Sequence, residues 1–359
     1  MKSLHVVLTG GGTGGSVTSL LAIAEELQAQ DPKIRFTFIG TDDGPERELV
    51  EQSGIEFTSI HAGKLRRYFS FHNFFDLFKI AGGTMQSLAR LRDLKPDIIV
   101  GTGSFVSVPV MWAGRMLRIP SLAHQLDIDL GLANKLVLPS VSRLTLGFEE
   151  TRQQLETSKA LVTGNPYRKE ILKGSVEEAR SLFNLRSNLP TIVVMGGGTG
   201  ALRLNQLIAS ASLRLLEHFQ ILHLTGKGKG GFSVPHPNYH TYEFLTVEMP
   251  HAYAVADIVI SRAGLSTLTE LSLLGKPSII VPIPGSHQVR NAEYFKLHDA
   301  IKVLPEQSLQ ASRLLAEVEQ LMSNADVRSE LAMHMQQLAR PDATKKIAQE
   351  ILRITGKVE

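Results

Sequence analysis

Four turns marked by glycine follow apolar runs in this chain, two in each half. Gly10-Gly11-Gly12-Thr13-Gly14-Gly15-Ser16 follows the run at 4–8, and Gly101-Thr102-Gly103-Ser104 follows 97–100. In the second half, Gly196-Gly197-Gly198-Thr199-Gly200-Ala201 follows 191–195, and Ser261-Arg262-Ala263-Gly264 follows 257–260. Glycine strips the Cβ from a turn, so a ligand or another backbone can reach the N–H groups at the positive end of the next helix. One such turn can serve close packing alone. Their recurrence in both halves points to a cleft lined from two sides.

The segment after Gly264 carries the sharpest chemistry. Free N–H groups near Leu265, with the Ser266 and Thr267 hydroxyls, suit a phosphate, and Glu270 lies one turn further in. A carboxylate there can accept both hydroxyls of a ribose; the alternative is an ordinary helix start whose early Glu offsets the macrodipole. His287, Gln288 and Asn291 follow the run at 278–281, where neutral amides and imidazole suit sugar hydroxyls. In the first half, His124-Gln125-Leu126-Asp127 follows 121–123, with Gly131 and Asn134 beyond; His124 and Asp127 are candidate general bases. A lone His also serves as a structural hydrogen-bonding group.

Other chemistries are poorly supported. The 12 histidines are scattered and none falls in an HExxH motif, so no metal site is expected. The opening loop lacks the Gly-Lys-Ser/Thr ending of a Walker A motif. Gly10, Gly12 and Gly15 fit GxGxxG, but Asp42 and Asp43 lie further on than the acid of a dinucleotide site should. With no cysteine, disulfides, thiolate metal sites and a Cys nucleophile are excluded, and the expected location is the cytoplasm. A net charge of +3 gives no support to a nucleic-acid partner. The local charge is more telling. Lys64, Arg66, Arg67 and Lys79 bracket six aromatics within eleven residues, Tyr68, Phe69, Phe71, Phe74, Phe75 and Phe78. This reads either as a core helix with a basic rim or as a patch that meets anionic lipid.

The elements that position these groups alternate strand and helix, which predicts α/β layers with parallel sheets. Strands are expected at 4–8, 35–39, 97–100, 121–123, 143–146 and 160–163, then at 191–195, 220–224, 239–242, 257–260 and 278–281. Val17, Leu20, Leu21, Ala24 and Leu27 share one face of the first helix. A chain of 359 residues is long for one core, and Gly164-Asn165-Pro166 breaks the pattern. Two doubly wound, Rossmann-like domains are therefore expected, 1–165 and 166–342, facing across a cleft. The segment 309–338 reads as helical, and a last helix within 343–359 is expected to pack back on the first domain.

Taken together, the motifs resemble the bacterial inverting glycosyltransferases of family 28, which have the GT-B fold. The resemblance rests on Gly11 to Gly15, Gly101 to Ser107, Gly164-Asn165-Pro166-Tyr167-Arg168, Gly196 to Ala201, Arg262-Ala263-Gly264 through Glu270-Leu271, and His287-Gln288 with Asn291-Ala292. It implies transfer of GlcNAc from UDP-GlcNAc to the muramoyl 4-hydroxyl of lipid I, giving lipid II for peptidoglycan. It also implies that Glu270 holds the ribose, Gly264, Leu265, Ser266 and Thr267 the diphosphate, and Gly197, Gly198 and Thr199 the opposite side of the nucleotide. Phe244 and Leu245 frame the uracil, Gln288 and Asn291 meet the GlcNAc, and Arg262 belongs to the donor loop. Arg168 stabilises the departing UDP. Thr13, Gly14, Gly15, Ser16, Gly103, Ser104 and Asn134 would serve the acceptor. No cofactor or essential metal is implied. The basic–aromatic segment from Lys64 to Lys79 would rest on the cytoplasmic face of the inner membrane as a peripheral contact.

The chain departs from that pattern on the acceptor side. Ser16 stands where the family has His after the glycines, and His124-Gln125-Leu126-Asp127 replaces His-Glu-Gln-Asn. The family's Ser-Gln in the second glycine loop is Gly198-Thr199. Asp127 is therefore the expected base, with His124 orienting it, and Ser16 beside the reacting centre. Two other readings stay open: a related UDP-sugar transferase with another lipid or small-molecule acceptor, and a non-catalytic sugar-nucleotide-binding homologue.

Overall fold

β1 (His5–Thr9) is buried along its whole length, as a parallel strand covered on both faces must be. The computed structural model describes residues 3–42, 44, 46–61, 71–197, 201–232 and 234–357, with the backbone alone for 71–79. The chain forms two compact units, Met1–Arg168 with Arg340–Glu359, and Lys169–Ala339.

The first unit contains β1, β2 (Arg35–Gly40), β3 (Glu56–Ser59), β4 (Ile98–Gly101), β5 (Ser121–Gln125), β6 (Arg143–Leu146) and β7 (Ala160–Val162). All pair in parallel, in the order β3-β2-β1-β4-β5-β6-β7. Between them run α1 (Gly14–Gln30), α2 (Glu46–Gln52), α3 (Phe71–Leu94), α4 (Ser107–Met116), α5 (Leu132–Val137) and α6 (Glu149–Gln153). Chain order reverses between β1 and β4. Connections leave such a switch point in opposite directions, so the loops after these two strands border an open crevice at the sheet's carboxyl edge. Both are glycine turns singled out in the sequence.

The second unit repeats the design. It holds α7 (Val176–Leu182), β8 (Thr191–Met195), α8 (Leu202–Leu215), β9 (Gln220–Leu224), β10 (Tyr239–Tyr242), α9 (Met249–Val255), β11 (Ile258–Ser261), α10 (Leu265–Leu274), β12 (Ser278–Ile280), α11 (His287–Leu297), β13 (Lys302–Val303), α12 (Ala311–Ser323) and α13 (Ala325–Gln337). Its parallel sheet has the order β10-β9-β8-β11-β12-β13, so its switch point lies between β8 and β11. The loops there are the two remaining glycine turns.

The chain then returns to the first unit as α14 (Ala343–Ile354), whose Ile347, Ala348, Ile351 and Leu352 join the core formed by α1 and one face of the first sheet. Each of the isoleucine and leucine side chains contributes about 1.5–3 kcal/mol by burial. Tyr167 fastens the crossing: its N–H donates to Thr344 Oγ1, which donates back to its carbonyl, and its hydroxyl donates to Pro341 O. Arg143 on β6 pairs with the buried Glu350 on α14.

Three expectations are corrected. The strand expected at 121–123 continues through His124 and Gln125. The helical segment 309–338 is two helices, because Asn324 leaves the helix and its Oδ1 caps α13 at Val327 N–H, 3.1 Å away. The edge strands β3 and β13 carry too little apolar patterning to be seen in the sequence.

Candidate functional site

In the first unit the opening loop is held by a side chain that sequence reading missed. Glu46, fully buried at the start of α2, accepts hydrogen bonds from Gly12 N–H at 3.3 Å, Thr41 N–H at 2.9 Å and the Thr41 hydroxyl. A Cβ at Gly11 would sit 2.6 Å from Glu46 Oε1, so this carboxylate explains why the loop needs glycine there. An anion is already installed behind Gly11 and Gly12. What stays open lies further on, at the start of α1, where the exposed Thr13 makes no side-chain cap and no acidic residue occupies the first turn. Ser16 is buried, and its hydroxyl donates to Thr13 O at 2.9 Å and Gly11 O at 3.2 Å. Its proton is used within the loop.

The end of β5 is a polar network. His124 is 0% exposed, with Nε2 3.1 Å from Asn165 Oδ1 and Nδ1 3.0 Å from Thr145 Oγ1. Asn165 Nδ2 donates to Leu126 O, which leaves its Oδ1 to accept from the His124 Nε2–H. Burial lowers the His124 pKa to about 4, opposed by the Asn165 hydrogen bond, so the ring is neutral. His124 thus braces β5 against Asn165 and β6 rather than orienting Asp127, a correction to the expected role. Its ring is closed to any substrate by full burial.

Gln125 is equally committed. Its Nε2 donates to Asp127 O at 3.0 Å and Asp129 O at 2.9 Å, while its Oε1 accepts from Gly131 N–H and Asn134 Nδ2. Only an amide can do this, for a carboxylate would face two carbonyl oxygens with no proton to offer. The loop so wrapped presents Asp127 half-buried behind β5. Asn134 is buried too, donating also to His124 O at 3.2 Å, and a Cβ at Gly103 (φ +62°) would lie 2.6 Å from its amide. Its expected place among acceptor ligands gives way to holding this loop against the turn at Gly103 and Ser104. Three residues after Asn165 comes Arg168, half-buried, whose Nε has no hydrogen-bond partner among the described residues.

In the second unit, α10 opens at Gly264 without a side-chain cap, and a Cβ at Gly264 would meet nothing within 4 Å. Leu265 is buried beneath the helix start, with Ser266 and Thr267 half-exposed. Glu270 on the same helix accepts from the Tyr253 hydroxyl at 2.9 Å. Gln288 and Asn291 on α11 both grip Ala263: Gln288 Oε1 accepts from its N–H at 3.3 Å, and Asn291 Nδ2 donates to its carbonyl at 3.1 Å. Asn291 is fully buried, while Gln288 is half-exposed and its Nε2 makes no bond among the described residues. Across the switch point, Gly197 (φ +83°) has open space around its Cβ position. Phe244 is 47% exposed and Leu245 is buried beside it, after β10.

Arg262, expected in the donor loop, is turned inward. Its guanidinium donates to Val281 O at 3.0 Å and pairs with Glu306, both groups being largely buried. Three groups of residues escape description. Gly198 and Thr199 lie outside the described residues, as do 64–70 of the basic–aromatic segment and the side chains of 71–79. Among the described residues, no group of three or more His, Asp or Glu is placed to hold a metal ion, and no helix is long and apolar enough to cross a membrane.

Two family models match the two halves: the glycosyltransferase family 28 N-terminal domain over 6–144 and the glycosyltransferase family 28 C-terminal domain over 191–350. The chain belongs to glycosyltransferase family 28. Curated relatives span nearly all of it. One from Lachnoclostridium phytofermentans is 39% identical, covering 89% of this chain and 91% of the relative, and one from Bacillus cereus is 38% identical, covering 90% and 92%. Each is named a UDP-N-acetylglucosamine–N-acetylmuramyl-(pentapeptide) pyrophosphoryl-undecaprenol N-acetylglucosamine transferase. Among solved structures, MurG of Acinetobacter baumannii is 26% identical with a TM-score of 0.72, over 98% of this chain and 99% of that one. A UDP-GlcNAc 2-epimerase from Neisseria meningitidis bound to UDP-GlcNAc matches with a TM-score of 0.68 at 15% identity, which speaks for a shared fold alone. The fold class is GT-B, and the chain is a UDP-sugar-dependent transferase of family 28.

Within each unit, the two glycine turns follow the neighbouring strands that flank the switch point of its own sheet. Glu46 and Tyr253 were missed because each acts through a partner distant in sequence, 34 and 17 residues away. A Glu just beyond the second strand was the available signal for the first. For Tyr253 there was none.

Proposed function

We propose that this chain transfers GlcNAc from UDP-GlcNAc to the muramoyl 4-hydroxyl of lipid I, with inversion, to give lipid II. The observation that carries the reading is that relatives bearing this activity in their names align with about 90% of the chain at 38–39% identity. In the donor site, the α10 start, which has no side-chain cap, receives the diphosphate through Leu265, Ser266 and Thr267, because the first N–H groups of a helix point out of its end and, with the helix dipole, favour an anion. Glu270 takes the ribose hydroxyls, Phe244 and Leu245 flank the uracil, and Gly197 with Gly198 and Thr199 closes over the nucleotide. Gln288 offers its Nε2 to the GlcNAc, with Asn291 behind it.

In the transfer, the acceptor oxygen attacks the anomeric carbon as the bond to UDP breaks, and the α-linked donor becomes a β-linked product. Asp127 accepts the proton of the attacking hydroxyl. Negative charge grows on the leaving diphosphate, and Arg168, whose Nε has no hydrogen-bond partner among the described residues, stabilises it. Helix dipole and arginine then perform the electrostatic task without a divalent ion. The start of α1, from Thr13 to Ser16, and the turn at Gly103 and Ser104 serve the acceptor. The basic–aromatic segment 64–79 holds the protein at the cytoplasmic face of the inner membrane, where lipid I resides.

A second reading, a transferase with a different acceptor, is favoured by one feature. Ser16 and Gln125 replace a His and a Glu of the family, and both spend their polar atoms on the protein's own loops. An acceptor panel separates the two. UDP release from UDP-GlcNAc that depends on lipid I supports the first; release with another polyprenyl or small-molecule acceptor, and none with lipid I, supports the second. Release with no acceptor in the panel overturns both.

A further inference from the structure

β10 is the edge strand of the second sheet, so only β9 pairs with it. At its end, Thr225 N–H donates to Tyr242 O at 2.9 Å and Gly226 N–H to Glu243 O at 3.0 Å. Phe244 and Leu245 then leave the sheet. The Glu243 side chain carries the connection further: its Oε2 accepts from Gly228 N–H at 3.1 Å, and a Cβ at Gly230 would lie 3.4 Å from its Oε1. The turn after β9 thus folds over this carboxylate, with Gly226 (φ +92°) and Gly228 (φ +71°) both left-handed. We propose that Glu243 is a positioning residue for the nucleotide base: it clips the 226–231 turn to the segment carrying Phe244 and Leu245 and so holds the two in place to receive uracil. The proposal rests on the reading of Phe244 and Leu245 as the uracil frame.

Two features single out this contact. Phe244 is 47% exposed, and a side chain with so little packing is ordered only as well as its backbone. The far side of the segment is already fixed, where Thr246 N–H donates to Glu248 Oε2 at 3.1 Å ahead of α9. Glu243 fixes the near side, so the frame is ordered before the base arrives and less entropy is lost on binding. The second feature is charge. The donor carries a diphosphate, and Glu243 is an exposed carboxylate at the same carboxyl end of the sheet, so by Coulomb's law alone its removal should favour the ligand. Positioning predicts the opposite sign.

The test compares the binding of UDP and of ribose 5-diphosphate, the same ligand without its base, by calorimetry in the full-length protein and its Glu243→Ala, Glu243→Gln and Phe244→Ala variants. Glu243→Ala should weaken UDP by about fivefold, the scale of one hydrogen bond, and leave ribose 5-diphosphate as in wild type. The UDP-GlcNAc KM should rise in step without a fall in kcat. Glu243→Gln should restore UDP binding, because its amide oxygen still accepts from Gly228 N–H. UDP bound unchanged or more tightly by Glu243→Ala would show that the side chain acts by charge or not at all, and would overturn the proposal. Equal weakening of both ligands would mark a merely structural glutamate, and a Gln variant as weak as the Ala variant would show that the hydrogen bond is not what matters; either result overturns it too. If Phe244→Ala binds UDP as wild type does, the uracil reading of Phe244 itself falls. If Phe244→Ala weakens UDP alone and Glu243→Ala does not, only the role of Glu243 falls.

Discussion

Replacing Glu46 with alanine should destabilise the first unit by about 3–5 kcal/mol, the sum of two orphaned backbone donors and a small void. Gly12 N–H and Thr41 N–H both end on this buried carboxylate. An unsatisfied donor costs about 1–3 kcal/mol when buried, and the half-buried Gly12 and Thr41 fall at the lower end of that range. The void opens beneath Gly11 and Gly44, which approach the carboxylate too closely to carry a Cβ. Glu46→Gln should cost less, about 1–2 kcal/mol, because its amide oxygen still accepts from Thr41 while its NH2 opposes Gly12 N–H. The chain has one tryptophan, Trp112 on α4, whose indole donates to Leu136 O within the first unit. Its fluorescence therefore follows that unit separately during urea unfolding. At a slope of about 2 kcal/mol per M, the alanine variant should unfold about 1.5–2.5 M earlier. An unchanged midpoint would refute the claim that Glu46 holds the opening loop.

His124 makes the first unit sensitive to acid. Its folded pKa of about 4 lies below the free value of 6.5, because burial disfavours the charged ring. The unfolded chain therefore takes up this proton first, and the stability it confers is complete above pH 6.5 and declines as pH falls towards 4. The slope is about 1.4 kcal/mol per pH unit, and His124→Gln should remove it from the Trp112-detected unfolding free energy. Arg168→Ala should lower kcat by about 100-fold or more with little change in the UDP-GlcNAc KM, read from steady-state UDP release. Arg262→Met should destabilise the second unit by about 3–5 kcal/mol in calorimetry, because it strands the largely buried Glu306 without its cation.

Much of the architecture is written locally. Runs such as Val6-Val7-Leu8 and Ile192-Val193-Val194 are apolar on both faces, which marks central parallel strands, and glycines mark the turns that follow them. The two switch points follow from that alternation, and with them the place of the ligand-facing loops. The edges were hidden, because β3 is half-exposed and Lys302–Val303 is only two residues long. So were the roles of particular side chains. His124 read as a base from its place after a strand; its partner Asn165 lies 41 residues away and makes it a brace. Arg262 read as a ligand from its motif; Glu306, 44 residues on, claims it. Residue type and spacing locate a site, but tertiary hydrogen bonds decide which of its polar atoms remain free for substrate.

The most direct measurement is the structure of the product formed from UDP-GlcNAc and lipid I. The account predicts a lipid-linked disaccharide in which GlcNAc is joined β to the muramoyl 4-oxygen, seen by mass spectrometry and by the anomeric proton coupling, with one UDP released per linkage. An α-linked disaccharide would contradict it. So would unchanged lipid I alongside UDP-GlcNAc converted to its 2-epimer.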